Sequence, residues 1–333
     1  VLMNKRERLQ AEKEGRKPSK LYDSDYLLGV YDETRMGGIR LKKDPDGPFL
    51  SADQGAAVPP WATLRTLEEA SRKLESDDRG AIEKWLRQLI KPGSSLGGAR
   101  PKATVKDTKN QLWIAKFPSK NDENNTGAWE MVVHDLAVLC GLNVPEAKLE
   151  NFSSLGSTYL VKRFDREGNK RVHFASAMTL LGKKDGASAT DGTSYLELAS
   201  FIKAYGVQPK LDLLELWKRI VFNMAVSNTD DHLRNHAFIL ARNGWALSPL
   251  YDVNPVPYGD ELSLNVDEED NSINIDLAIQ TAARFGISET DATTYAKDIL
   301  TIVKENWEKR ATACGLSRRL IEEMRPAFSA CYR

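Results

Sequence analysis

The sequence predicts an α+β chain: a strand-rich N-terminal lobe followed by a mostly helical C-terminal lobe. Three observations predict it. Short apolar runs bounded by Gly, Pro and Asp fill the first half of the chain. From Ala175 onward apolar residues recur at helical spacing. At 333 residues there is enough chain to build two hydrophobic cores rather than one.

Taken in order, residues 26–30 and 38–41 are apolar runs on either side of the polar turn Asp32-Glu33-Thr34-Arg35, which predicts a β-hairpin. Residues 44–60, rich in Pro, Gly and Asp, predict a loop. Apolar spacing over 61–74 and 81–90 predicts helices. The glycine- and serine-containing stretch 91–100 predicts a loop, and 104–105 with 112–117 a second strand pair. Residues 128–140 predict a helix stopped by Gly141, and 147–151 with 158–164 two more strands. Helices are then expected over 195–205, 211–227, 291–307 and 318–332, interrupted by short strands at 237–240 and 245–247. The resulting division is an N-terminal lobe over 1–160, a hinge at 161–166 and a C-terminal lobe over 167–333.

Composition narrows the function. Lys plus Arg equals Asp plus Glu, 47 each, so no global basic field draws the chain to nucleic acid, although a local patch is compatible. The longest apolar stretch, 213–226, is broken by charge and too short to span a membrane, so no membrane partner is expected. Cys140, Cys314 and Cys331 are odd in number and lack metal-ligand spacing. They read as reduced, partly buried thiols of a cytoplasmic protein. The start shows no signal-peptide pattern, and its passage from Val1 straight into a charged helix over 4–14 reads as a fragment of a longer chain.

The strongest chemical signal is Ser227-Asn228-Thr229-Asp230-Asp231-His232-Leu233-Arg234-Asn235, between a long helix and a strand. Asp230 and Asn235 match the D-x-x-x-x-N spacing of a protein-kinase catalytic loop. One carboxylate must accept the proton of a substrate hydroxyl, and an amide oxygen one loop-turn later must ligate Mg²⁺ beside it. Taken alone the pattern is more often a polar loop. After the turn Arg242-Asn243-Gly244 comes Ser248-Pro249-Leu250-Tyr251-Asp252-Val253, where Asp252 stands in the place of the kinase aspartate that holds Mg²⁺ against the phosphates. Its neighbours are Val253 and Asn254 rather than Phe and Gly, and alone it is equally a turn aspartate before Pro255.

Upstream, the 93–102 loop offers Gly97, Gly98, Ala99, Arg100, Pro101 and Lys102 before a strand. Glycines allow backbone amides to approach phosphates, yet the loop matches no standard phosphate-binding sequence and alone reads as a linker. Lys116 interrupts the apolar strand around Trp113-Ile114-Ala115, and Glu130 on the next helix is its candidate ion-pair partner. An edge-strand lysine reaching solvent is the commoner fate of such a residue. His232 and His236 beside Asp230 and Asp231 suggest zinc as a rival, but His236 leads into a strand and no Glu base lies between the histidines. The acidic run 267–270 and the mixed-charge start read as solvated surface. Order decides the reading: loop, strand Lys, helix Glu, Asp-x₄-Asn and second Asp arrive in kinase sequence.

At these residues the chain resembles the HipA family of toxin kinases. Thr229-Asp230-Asp231-His232-Leu233-Arg234-Asn235 resembles the family's T-D-x-H-x-[KR]-N catalytic loop, and Pro249-Leu250-Tyr251-Asp252 its P-x-Y-D metal segment. Arg163-Phe164-Asp165-Arg166 is similar to its hinge, and Gly141-Leu142-Asn143-Val144-Pro145 and the segment from Tyr26 to Val30 also fit. The resemblance implies a bilobal protein-kinase-like fold and ATP with Mg²⁺. It further implies serine phosphorylation of a translation component such as an aminoacyl-tRNA synthetase, leading to growth arrest or persistence. A HipB-like helix-turn-helix antitoxin is the implied partner, with operator DNA reached through that complex. An autophosphorylation site is implied at Ser95, with Ser94 second. Nucleotide contacts are implied over Gly97 to Lys102, Lys116, Lys162, Arg163, Phe164, His232, Leu233, Arg234, Asn235, Tyr251 and Asp252, with Asn235 and Asp252 on the metal. By this resemblance the sequence is expected to start after most of the family's N-terminal segment, and Lys162 stands where some members carry a hinge Glu. Two rivals keep a place: a small-molecule or lipid kinase on the same scaffold, and a silent co-repressor subunit.

Overall fold

Where valine, alanine and tryptophan alternate with lysine and threonine, the chain pairs into sheet; where leucines return every three or four residues, it coils. In a computed structural model that describes residues 2–52, 58–75 and 100–333, these tendencies are met in two units. One comprises Val1–Gly127 with Ala147–His173, the other Ala128–Glu146 with Phe174–Arg333.

The first unit carries an antiparallel sheet of β1 (Lys102–Lys106), β2 (Leu112–Lys116), β3 (Ala147–Ser153) and β4 (Gly156–Lys162), in the order β1-β2-β4-β3. Helix α1 (Leu2–Lys13) opens the chain, α2 (Asp23–Gly29) follows, and α3 (Leu64–Glu75) covers the sheet. The apolar stripe Leu64, Leu67, Ala70 and Leu74 of α3 packs on Ala103, Val105, Trp113, Ala115, Phe117 and Leu160. Trp61 stands edge-on to Trp113, with centroids 5.3 Å apart. The expected helix over 81–90 and the loop residues Ser94, Ser95, Gly97, Gly98 and Ala99 lie outside the described residues.

The expected hairpin over 26–41 is not formed. Tyr26, Leu27 and Leu28 belong to α2, whose start is closed by Asp25, its carboxylate accepting the Tyr22 backbone N–H at 2.8 Å. Residues 31–37 are held by arginines instead of a strand partner. Arg163 donates to the Thr34 carbonyl at 2.8 Å, Arg166 to the Arg35 carbonyl at 2.8 Å and Arg171 to the Asp32 carbonyl at 2.5 Å. Asp165 completes the cluster, accepting from Arg163 at 2.6 Å and from the Gly37 backbone N–H at 2.7 Å. A run of three apolar residues is too short to choose between helix and strand, and tertiary donors took the carbonyls a ladder would have used. The short hairpin of β5 (Arg166–Glu167) and β6 (Lys170–Arg171) presents two of these arginines.

The second unit holds α4 (Thr126–Leu139), whose first two residues belong to the first unit, and a three-stranded antiparallel sheet. That sheet orders β7 (Phe174–Ser176), β8 (Ala237–Ala241) and β9 (Gly244–Leu247) side by side. Helices α5 (Ala177–Leu180), α6 (Tyr195–Tyr205), α7 (Pro209–Ala225), α8 (Ile275–Thr281), α9 (Glu289–Ala313) and α10 (Arg318–Met324) form the rest, with a 3₁₀ segment over Arg325–Tyr332. Start signals are explicit: Pro209 occupies the first turn of α7, and the side chains of Ser288 and Ser317 accept from backbone N–H groups at the heads of α9 and α10. Trp307 stacks on Phe328 at 4.3 Å between centroids, with Trp129 of α4 at 6.4 Å from the same ring. Among the described residues no helix is long and apolar enough to cross a membrane.

Candidate active site

The segment between α7 and β8 has to turn the chain through a tight path, and its hydrogen bonds show how. Asn228 N–H returns to the Asn223 carbonyl of α7 at 2.8 Å, His232 N–H to the Asp230 carbonyl at 3.0 Å and Asn235 N–H to the His232 carbonyl at 2.8 Å. The Asn235 side-chain amide donates to the Asp230 carbonyl at 2.9 Å, which fixes the amide plane and leaves Oδ1 turned away from that bond. Asp230 itself projects outward, 80% exposed at its side chain, with His232 Nε2 3.8 Å from its carboxylate.

Asp231 behaves oppositely. It is buried, and its Oδ2 accepts from Tyr195 Oη at 2.6 Å, Asn223 Nδ2 at 2.6 Å and His236 Nε2 at 2.8 Å. Burial by itself would raise its pKa, but His236 and the donated bonds hold the carboxyl below its ordinary value. Tyr195, buried and facing that carboxylate, is pushed well above the usual phenol range. The two histidines are therefore committed to different carboxylates, and they do not converge as a zinc pair would.

The Asp252 segment lies along this loop. Tyr251 Oη donates to the Arg234 carbonyl at 2.7 Å, Asn254 N–H to Asn228 Oδ1 at 3.3 Å and Val256 N–H to the Ser227 carbonyl at 3.1 Å. Burial first, then Asp252, raises the Tyr251 pKa and keeps it a neutral donor. Its approach is set from α7: Arg219 donates to the Ser248 carbonyl at 2.8 Å, and Leu250 N–H bonds the Asn143 carbonyl at 2.8 Å. Asn143 is thereby the working residue of Gly141-Leu142-Asn143-Val144-Pro145, its own N–H tied to Glu215 at 3.0 Å.

Backbone strain gathers at the same place. Ser227 (φ +51°), Asp252 (φ +60°) and Tyr258 (φ +62°) all sit in the left-handed region that side chains disfavour. Gly259 backs this strain with a close approach, since a Cβ there would collide with Thr229 Cγ2 and Ser227 Oγ. Hydropathy reading had no means of finding these strained positions or the buried Asn223. Beside His232, Leu233 and Arg234 opens a cavity of about 190 Å³, walled by residues 184–188, Met178 and Ser263. Arg234 closes one side through an ion pair to Asp185 at 2.6 Å.

Asn235 Oδ1 and the Asp252 carboxylate are hard oxygen donors, the type Mg²⁺ accepts from protein while keeping water and phosphate oxygens as its other ligands. Among the described residues no group of three or more His, Cys, Asp or Glu could hold a metal ion, so this donor set differs from an all-protein cage.

The remaining site candidates, Glu130 excepted, belong to the first unit. Lys102 and Lys116 are direct cross-strand partners of β1 and β2, so their side chains leave the same face of the sheet. Lys116 is buried, 5.8 Å from the Tyr159 ring centroid. Arg100 donates to the Phe117 carbonyl at 3.0 Å and pairs with Asp122 at 2.8 Å, beside Pro101. Lys162 ends β4 opposite Trp113, and Phe164 is half-buried in the turn after it. The Arg163 guanidinium is spent on Asp165 and the Thr34 carbonyl, and its backbone N–H on the Leu112 carbonyl at 2.9 Å. Glu130, on α4 of the second unit, is buried.

Comparison with known proteins places these elements in context. Residues 94–307 match the family model described as the HipA-like C-terminal domain. A Shewanella oneidensis protein, serine/threonine-protein kinase toxin HipA, is 26% identical over 286 residues, covering 74% of this chain and 64% of its own length. A Haemophilus influenzae relative is 31% identical over 187 residues, 50% of this chain and 54% of that protein. The chain thus spans between half and two thirds of these relatives. Among solved structures, the Shewanella oneidensis HipA, HipB and operator DNA complex aligns over 97% of this chain and 80% of the matched chain, with TM-score 0.65 and 18% identity, a likeness of fold.

Proposed function

The chain belongs to the HipA-like family, and from that premise we propose that it is an ATP-dependent serine/threonine protein kinase. The observation that carries the proposal is the hydrogen-bonded seam between the 227–235 loop and the 251–256 segment, which supports Asp230, Asn235 and Asp252 acting together.

In this reading Asp230 accepts the proton of the acceptor hydroxyl as that oxygen bonds to the γ-phosphorus of ATP and ADP departs with the bridging oxygen. Exposure of Asp230 suits a base that must meet a macromolecular substrate. Mg²⁺, held by Asn235 Oδ1 and Asp252, would offset charge on the phosphate oxygens. Lys116 and Lys102 present two ammonium groups on one sheet face for the phosphates, and Glu130 is the proposed partner of Lys116. Gly97, Gly98 and Ala99 are proposed to cover the phosphates and Ser95, or Ser94, to take phosphate in turn. The main chain of residues 162–164 would read adenine, and His232, Leu233, Arg234 and Tyr251 would border the nucleotide. The contribution of the protein is positioning and electrostatics rather than covalent chemistry.

A HipB-like antitoxin, operator DNA reached through it, a translation component such as an aminoacyl-tRNA synthetase as substrate and a cytoplasmic location complete the proposal. The similar fold found in a complex of HipA, HipB and operator DNA supports the first two.

The deciding experiment compares the phosphoproteomes of cells expressing the chain and its Asp230→Ala variant. Serine phosphorylation present with the first and absent with the second is expected. Label from ATP passing into a metabolite instead would overturn the protein-kinase reading, and ATP binding without turnover, together with tighter operator binding by the antitoxin partner, would favour a co-repressor.

A further inference from the structure

No motif of the sequence includes Asn223, yet it is fully buried on the last turn of α7 and uses both ends of its amide. Its Oδ1 accepts from Asn228 Nδ2 at 3.1 Å, and its Nδ2 donates to Asp231 Oδ2 at 2.6 Å. Each partner reaches onward. Asn228 Oδ1 accepts the Asn254 backbone N–H at 3.3 Å, two residues beyond Asp252. Asp231 adjoins Asp230 and is clamped by Tyr195 and His236 as well. A buried relay thus runs from Asn254 through Asn228 and Asn223 to Asp231, joining the backbone on which Asp252 sits to the backbone on which Asp230 sits.

At neutral pH a side-chain amide offers this pairing of donor and acceptor without carrying charge. Alanine would leave Asn228 Nδ2 without its acceptor and remove one of the three donors to Asp231. Aspartate would set a second carboxylate against Asp231 in a space from which water is excluded. The strained φ of Ser227, next to Asn228, and of Asp252, two residues before Asn254, are positions that persist only when surrounding bonds over-determine them.

We propose that Asn223 is a positioning residue: through Asn228 and Asp231 it sets the separation of Asp230 and Asn235 from Asp252, and with it the divalent-cation requirement of phosphoryl transfer. The proposal rests on the phosphotransferase reading above. Asn223 is fully buried, so in this proposal its loss acts on geometry rather than on a contact to substrate or metal.

The test uses the full chain, γ-labelled ATP and a bacterial lysate as acceptor mixture, with Mg²⁺ titrated at saturating ATP. Asn223→Ala is expected to lower the transfer rate at least about tenfold and to raise the half-saturating Mg²⁺ concentration several-fold. KM for ATP should stay near the wild-type value. Asn228→Ala, the neighbouring member of the relay, should shift the Mg²⁺ requirement in the same direction. For Asn223→Asp the rate relative to wild type should recover as pH falls from 8 to 6, because the facing carboxylates then share a proton. Leu216→Ala, buried on the same helix but off the relay, supplies the structural control: it should lower the melting temperature and leave the Mg²⁺ requirement unchanged. Wild-type rate and Mg²⁺ requirement in folded Asn223→Ala, or the same Mg²⁺ shift in Leu216→Ala, would overturn the positioning role. Absence of transfer by the wild type would overturn the phosphotransferase reading itself, which is a separate failure.

Discussion

Asp230 and Asp231 are neighbours in sequence and opposites in environment: one side chain is 80% exposed, the other is buried under three hydrogen bonds. The exposed carboxylate has the access that the proposed proton transfer requires, and the buried one is anchored by its three donors. Asp230→Ala should therefore lower label transfer from ATP by about a thousandfold while changing stability by no more than about 0.5 kcal/mol. Rates and urea melts of the same preparation check both halves of that expectation. The thiols give a second residue-scale expectation. Burial pushes Cys140 and Cys331 up to about 12 and Cys314 up to about 11. Alkylation of the folded chain by iodoacetamide at pH 8 should be slow and should quicken by about tenfold per pH unit, since the thiolate is the reacting form. Fast labelling of Cys140 at pH 8 would contradict its burial.

At the scale of elements, the sheet of the first unit depends on α3. Leu67→Ala empties a buried site against the sheet and should cost about 2–5 kcal/mol in urea unfolding. The arginine cluster that replaces the expected hairpin carries its own pH signature. Burial alone would raise the Asp165 pKa, but bonds from Arg163, the charges of Arg163 and Arg166 and the Gly37 N–H hold it below the ordinary value. A depressed folded pKa means that the stabilisation is complete above the unfolded value of about 3.9 and is lost as pH falls through the lower folded value. The stability gap between wild type and Asp165→Asn should be constant from about pH 5 to 8 and should close below about pH 4. A gap that persisted undiminished in acid would mean that packing, not charge, is what Asp165 supplies. Reading these elements from sequence worked where patterns were long: the helix expected over 195–205 is Tyr195–Tyr205. It failed at 26–41, where a few apolar residues were outbid by arginines more than a hundred positions away.

For the whole molecule, ligand linkage is the most direct measurement. A non-hydrolysable ATP analogue with Mg²⁺ at one hundred times its dissociation constant should stabilise the chain by about 2.7 kcal/mol, seen as a rise in melting temperature. Asp252→Ala should lose the part of that rise that depends on Mg²⁺ and keep the part due to the analogue alone. Equal rises in the two proteins would remove Asp252 from the metal site.

Taken by itself, the amino-acid order determined the α+β class and the positions of the long helices, and it singled out Asp230, Asn235 and Asp252 as candidates, because period, turn chemistry and motif spacing are local properties. Which carboxylate of the Asp230–Asp231 pair is buried, that Asn223 and Asn143 brace the two segments, and that Arg163 is spent on residues 34–35 were decided only in three dimensions. The reason is physical: a buried polar group must find a partner wherever the fold puts one, and partners 26 or 129 positions distant leave no periodic trace in the chain.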